Sequence, residues 1–195
     1  FTPPGGTLSV GSSLDNSGTF IASSGTITVS GAFTNSSTFN ATSGTLNLGG
    51  DYTNSGTFAN NSGTANFTGT TTGHTISGAM TGSNKFNNLT FGWSGGTWTF
   101  AADPADVAGD FTLTNGGVTA PSTTLKIAGN FSCSGGFTPN GGTVNMDGTS
   151  GQTISGVSSS ATNLTFSNSF TGGSDGSAFC SSWTSFLSSL LSSYS

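Results

Sequence analysis

From Gly6 to Gly63 the chain repeats itself every nineteen residues, and almost every position in the repeat keeps its chemical character. In register, Gly6, Gly25, Gly44 and Gly63 align, each followed by Thr7, Thr26, Thr45 or Thr64. Two apolar columns come next, Leu8, Ile27, Leu46 and Ala65, then Val10, Val29, Leu48 and Phe67. Further along lie Leu14, Phe33 and Tyr52, then Asn16, Asn35 and Asn54, then Phe20, Phe39 and Phe58. A period of this size marks a solenoid or array and must be read before any single residue.

Within a repeat, apolar residues alternate with Thr, Ser and Asn, as in Thr26-Ile27-Thr28-Val29, so the local period is two and the local structure is strand. Gly, Asn and Ser bound each run and supply the positive φ values of sharp corners. Coils laid on one another at the strand spacing of about 4.8 Å put Leu on Leu, Phe on Phe and Asn on Asn. A slip of one residue would turn every inward apolar group out to water, which holds the register. The fold expected is all-β, a parallel β-solenoid of roughly ten coils, about 45 to 50 Å long at that spacing. It should occupy residues 1–168. Its first coil begins at Thr7 with no evident cap, leaving an open edge.

Composition narrows the function. The chain has two lysines, no arginine, seven acidic residues and a net charge of −5, a surface that repels phosphate backbones and argues against nucleic acid. No apolar run approaches the length of a membrane span. The missing initiator methionine at Phe1 reads as a processed or trimmed start. A polar, nearly uncharged β surface suggests an extracellular setting. N-x-[ST] triplets at Asn35, Asn40, Asn60, Asn66, Asn88, Asn130 and Asn163 would permit N-glycosylation, although this composition also produces them by chance.

Beyond the regular coils, Thr75-Ile76-Ser77-Gly78 and Asn88-Leu89-Thr90-Phe91 return as Thr153-Ile154-Ser155-Gly156 and Asn163-Leu164-Thr165-Phe166, a second-order repeat expected to fall on corresponding coils. Gly50-Asp51-Tyr52 returns as Gly109-Asp110-Phe111 and Gly129-Asn130-Phe131. These phrases, G-[DN]-[FY], S-G-T-[VL], Q-T-I-S-G and N-L-T-F, resemble repeats of long secreted bacterial surface proteins and are similar to adhesin-type β-helices over Gly5 to Asn168. The resemblance implies an extracellular structural or adhesive role and brings no catalytic residues with it.

After a Gly/Ser linker at 169–177, Phe179, Trp183, Phe186, Leu187, Leu190, Leu191 and Tyr194 fall at helical spacing. They predict an amphipathic helix over 178–195 that caps the solenoid or meets a second subunit. A membrane-surface helix would carry Lys or Arg on its polar face, and this one carries serine. Cys133 and Cys180 could join helix to solenoid by a disulfide or remain thiols.

Candidate chemistry is sparse. His74 is the only histidine and is expected to be a polar corner residue, as its counterpart Gln152 suggests. Asp51 and Asp110 are expected at one position of their coils, and Asp103 and Asp106 share a loop where calcium is a weak alternative to simple turn formation. The threonine row Thr7, Thr26, Thr45 and Thr64 invites comparison with ice-binding solenoids, but the next column, Ser9, Thr28, Asn47 and Asn66, is irregular. No cofactor or metal is expected. The leading expectation is therefore a non-enzymatic structural subunit that binds copies of itself. An adhesin or an ice- or glycan-binding module with Trp93, Trp98 and Trp183 as its aromatics comes second. A polysaccharide-degrading enzyme comes last.

Overall fold

Alternating Thr and β-branched or aromatic residues, cut every few positions by Gly, Asn or Ser, produce strands of two to five residues separated by tight corners. The computed structural model describes residues 6–101 and 104–156, together with the strand Leu164–Phe166. The first three coils each carry three strands: β1 (Gly6–Val10), β2 (Leu14–Asn16) and β3 (Thr19–Ile21); β4 (Gly25–Val29), β5 (Phe33–Asn35) and β6 (Thr38–Asn40); β7 (Thr45–Leu48), β8 (Tyr52–Asn54) and β9 (Thr57–Ala59). The fourth has β10 (Thr64–Phe67), β11 (His74–Gly78) and a 3₁₀ turn at Gly82–Asn84. Then come β12 (Asn88–Phe91), β13 (Thr97–Phe100) and β14 (Ala105–Val107); β15 (Phe111–Leu113), β16 (Gly117–Thr119) and β17 (Thr124–Ile127); β18 (Phe131–Cys133), β19 (Gly136–Thr138) and β20 (Thr143–Met146); and finally β21 (Ile154–Ser155) and β22 (Leu164–Phe166).

Every strand pair is parallel, and the sequence columns are the structural ones: Leu8 aligns with Ile27, Ile27 with Leu46, and Leu46 with Ala65. The first face is one sheet of eight strands, β1-β4-β7-β10-β12-β15-β18-β21. The second has seven, from β2 to β19. The third face is divided into β3-β6-β9 and β14-β17-β20-β22. Between those halves the 3₁₀ segment keeps the stack continuous: Asn84 Oδ1 accepts the Phe58 N–H at 2.7 Å, and Phe86 bridges to Val107. No helix among the described residues is long and apolar enough to cross a membrane.

Eight strands on the first face mean eight described coils where the sequence suggests about ten. The nineteen-residue step of the early coils lengthens to 24 at Asp51–Thr75, 22 at Asn88–Asp110, 20 at Asp110–Asn130 and 23 at Asn130–Thr153. Extra residues are taken up at corners, and the first face remains one continuous sheet. The expected linker at 169–177 and helix at 178–195, with Phe179, Cys180, Trp183, Phe186, Leu187, Leu190, Leu191 and Tyr194, lie outside the described residues.

One rearrangement breaks the expected correspondence between repeat and coil. Thr75-Ile76-Ser77-Gly78 belongs to β11 on the second face, whereas Ile154-Ser155 forms β21 on the first. Likewise β12 lies on the first face and its later counterpart β22 on the third. Asp51 and Asp110 therefore hold the same place in their phrases but not in the solenoid. The second face itself steps sideways at β11: Ile76–Gly78 pair with Tyr52–Asn54 below, while His74–Ile76 pair with Trp98–Phe100 above.

A single core runs through the stack. Phe33 and Tyr52 stack at 5.3 Å, Phe67 and Phe91 at 5.0 Å, and Phe111 and Phe131 at 5.2 Å, with edge-on contacts such as Phe33–Phe39 joining the columns. The Tyr52 hydroxyl is buried without a hydrogen-bond partner among the described residues, and burial pushes the phenol pKa far above the usual tyrosine range, keeping it neutral. Corner glycines allow the coils to approach. Gly78 has φ +94°, and a Cβ there would run into the Asn54 carbonyl below.

Two stability changes follow. Tyr52→Phe removes an unpaired buried hydroxyl from a position that holds phenylalanine one coil earlier, so it should leave stability unchanged or raise it by about 1 kcal/mol in urea unfolding. Gly78→Ala meets both a left-handed backbone and a backbone clash, and should cost at least about 2 kcal/mol in the same measurement.

Candidate functional site

The polar groups that the fold organises most strongly are inside or at its corners. Asn16, Asn35 and Asn54 form the expected ladder on the inner side of the second face. Asn16 Nδ2 donates to Asn35 Oδ1 at 2.7 Å and Asn35 Nδ2 to Asn54 Oδ1 at 2.8 Å. Each amide also donates to a backbone carbonyl of the adjoining coil, those of Thr38, Thr57 and Ala79 at 2.9, 3.0 and 2.9 Å. Asn35 and Asn54 are wholly buried, so the triplet at Asn35 cannot accept a glycan in the folded chain. The ladder ends at Gly78, which has no side chain to continue it.

A second system of Asn and Asp side chains ties coil to coil. Asp51 Oδ1 accepts the Thr75 N–H at 2.8 Å, Asn88 Oδ1 that of Asp110 at 3.0 Å, Asp110 Oδ1 that of Asn130 at 2.7 Å and Asn130 Oδ1 that of Thr153 at 2.8 Å. In each case the residue just before an inward aromatic or apolar residue satisfies the N–H stacked above it. For Asp51, Asp110 and Asn130 the signal in the sequence is Gly-[Asp/Asn]-[Phe/Tyr]; Asn88 stands instead in Asn87-Asn88-Leu89.

At the sideways step of the second face, His74 meets partners from three coils. Its Nδ1 lies 3.5 Å from Asp51 Oδ1 and its Nε2 2.9 Å from Thr71 Oγ1, while the ring stacks on Trp98 at 5.4 Å. The His74 side chain is 16% exposed and that of Asp51 52%. Gln152 fills the matching corner of the later phrase by other means: Oε1 accepts the Gly148 N–H, and Nε2 donates to the carbonyls of Ile127 and Gly129.

The remaining candidates are dispersed. Asp106 stands opposite Lys126 in the register of β14 and β17, and Asp103 lies outside the described residues. Among the described residues no three His, Cys, Asp or Glu side chains gather as a metal site. Thr7, Thr26, Thr45 and Thr64 align as expected, and beside them Asn66 Nδ2 donates to Asn47 Oδ1 and Asn47 Nδ2 to Thr28 Oγ1. Trp98 is buried, whereas Trp93 projects from the corner between β12 and β13 and is 49% exposed. Trp183 lies outside the described residues. Cys133 is buried facing the core, and Cys180, its suggested partner, lies outside the described residues. One small cavity of about 10 Å³ opens beside Ala65, lined also by Ala41, Leu46, Phe58 and Phe86.

The asparagine ladder makes a specific prediction about cooperativity. Asn35→Leu takes the acceptor from one N–H of the half-buried Asn16 amide and the donor from the buried Asn54 carbonyl oxygen and from the Thr57 carbonyl, and should cost about 2–4 kcal/mol in urea unfolding. Replacing all three asparagines by leucine removes donors and acceptors together and should cost clearly less than the three single changes added. No protein-family model, curated protein or solved structure matches the chain.

Proposed function

We propose that this chain is a structural unit of an extracellular filament or surface fibre, built by stacking β-solenoids end to end. The observation that carries the reading is the incomplete burial of the first described coil. Leu8, Val10 and Leu14 are only partly buried, yet the residues stacked on them, Ile27, Val29 and Phe33, are 3%, 0% and 0% exposed. Among the described residues nothing pairs with the free side of β1, β2 or β3. Another coil placed there would continue every column and bury those three side chains.

The charge content supports the same reading. Two lysines and seven acidic residues in 195 leave little repulsion between stacked rods, and parallel coils give the two ends of a rod different surfaces. A contact between unlike surfaces repeats along an axis unless its rotation closes a ring. A second reading, a binding module of adhesin type or one for glycan or ice, draws on the exposed Trp93 and on the outward column Thr75, Thr99, Thr119 and Thr138 of the second face.

Electron microscopy of the purified chain, with light scattering after chromatography, separates the two. Fibres with an axial repeat near one solenoid length are expected, and Val10→Asp should shorten or abolish them. A monodisperse monomer at all concentrations would sink the assembly reading and leave the binding module.

A further inference from the structure

The corner that leads into β11 lines up a hydroxyl, an imidazole and a carboxylate. Thr71 Oγ1 is 2.9 Å from His74 Nε2, and His74 Nδ1 is 3.5 Å from Asp51 Oδ1. At the same place in the later phrase, in a corner between the third and first faces, Gln152 fills the position with amide hydrogen bonds alone. The groups are also held in place from outside the trio. Trp98 lies against the imidazole with an interplanar angle of 28°, and the Thr75 N–H fixes the Asp51 carboxylate at 2.8 Å.

We propose that this corner is an acyl-transfer site that hydrolyses small aryl esters, a function that does not depend on whether the rods stack. Asp51 orients the ring with the proton on Nδ1, which leaves the Nε2 lone pair facing Thr71. Thr71 Oγ1 adds to the ester carbonyl carbon while its proton passes to Nε2. The intermediate collapses, the bond to the aryl oxygen breaks, and the leaving phenol takes the proton from Nε2. Water then adds to the acyl-threonine with Nε2 again accepting its proton, and the carboxylic acid leaves as Thr71 regains its hydrogen.

The substrate class follows from the surroundings. Thr71 is exposed, so an ester reaches it from solvent without any opening of the fold. The next coil lies directly over this loop: the Thr97 N–H donates to the Thr71 carbonyl at 3.2 Å, and Thr97 Oγ1 accepts the Gly73 N–H at 2.9 Å. The same coil carries the exposed Trp93 in the corner that precedes Thr97, and under this proposal its indole receives the aromatic leaving group. An open site with a positioned base gains about 10²–10⁴-fold from that base, and an activated ester brings such a rate into range.

The test uses the full chain with p-nitrophenyl acetate near neutral pH. The unmodified chain should turn over repeatedly, and mass spectrometry after acid quench should find acetyl on Thr71. His74→Gln introduces the residue found at the same place in the later phrase; it should keep the melting temperature and lower the rate about a hundredfold. Thr71→Val should do the same, and Asp51→Asn should lower the rate by a smaller factor. A native rate no higher than that of His74→Gln overturns the proposal, as does a rate unchanged in Thr71→Val, which would mean that the imidazole acts alone. Should His74→Gln fail to fold, Thr71→Val decides the matter, because its side chain is exposed.

Discussion

Stacking of each coil on the one before it is the interaction on which everything else depends. A three-residue strand cannot hold itself together, and a coil of about nineteen residues has too little surface to bury alone. Parallel pairing between coils supplies hydrogen bonds for the backbone and, through the same register, sets like side chain upon like. Phe33 on Tyr52 and Asn35 on Asn54 are two outcomes of one geometric rule. The corner glycines serve that rule, since a Cβ at Gly25, Gly44 or Gly63 would strike a backbone carbonyl of the coil below.

The rule admits polar groups to the interior only where they can be repeated. An asparagine stacked on an asparagine gives the Asn35 and Asn54 carbonyls a donor and the Asn16 and Asn35 amides an acceptor, and the last amide, that of Asn54, donates to the Ala79 carbonyl. In the later phrases Leu113 and Cys133 follow the aromatic residue where Asn54 follows Tyr52, but they lie on the first face and continue the apolar column of Phe67 and Phe91. Tyr52 and Trp98, by contrast, bring a hydroxyl and an indole N–H into the core singly, and neither finds a partner among the described residues. A group without a copy above or below it is the one left unsatisfied.

The same constraint shapes what the protein can do. Side chains on a rod of stacked strands form rows rather than clefts, which suits assembly or repetitive contact. Chemistry needs unlike groups brought together, and that happens where the stacking is least regular. Asp51, Thr71, His74 and Trp98 converge at the strand whose two halves pair with different neighbours. The corner before β11 supplies both the Thr71 hydroxyl and the His74 imidazole, and the folded path sets the Asp51 carboxylate of the coil below beside them.

Much of this was legible in the residues. The alternation in Thr26-Ile27-Thr28-Val29 and the nineteen-residue period dictate strands, inward columns, parallel stacking and the asparagine ladder, because each depends only on local pattern repeated at constant spacing. The number of coils was not, since corner insertions lengthen a coil without adding one. Nor was the face on which each phrase lies. Thr75-Ile76-Ser77-Gly78 and its later copy read identically, yet they occupy different faces, because a face is assigned by how many corners the chain has turned before reaching it. The pairing of His74 with Asp51 and Thr71 was hidden for the same reason: Asp51 belongs to the coil below, and only the folded path sets it beside the imidazole. The sequence by itself determined the unit of structure and its stacking, through periodicity; the tertiary structure alone decided which repeats share a face and which side chains meet across coils, because those depend on accumulated corner lengths that no local pattern records.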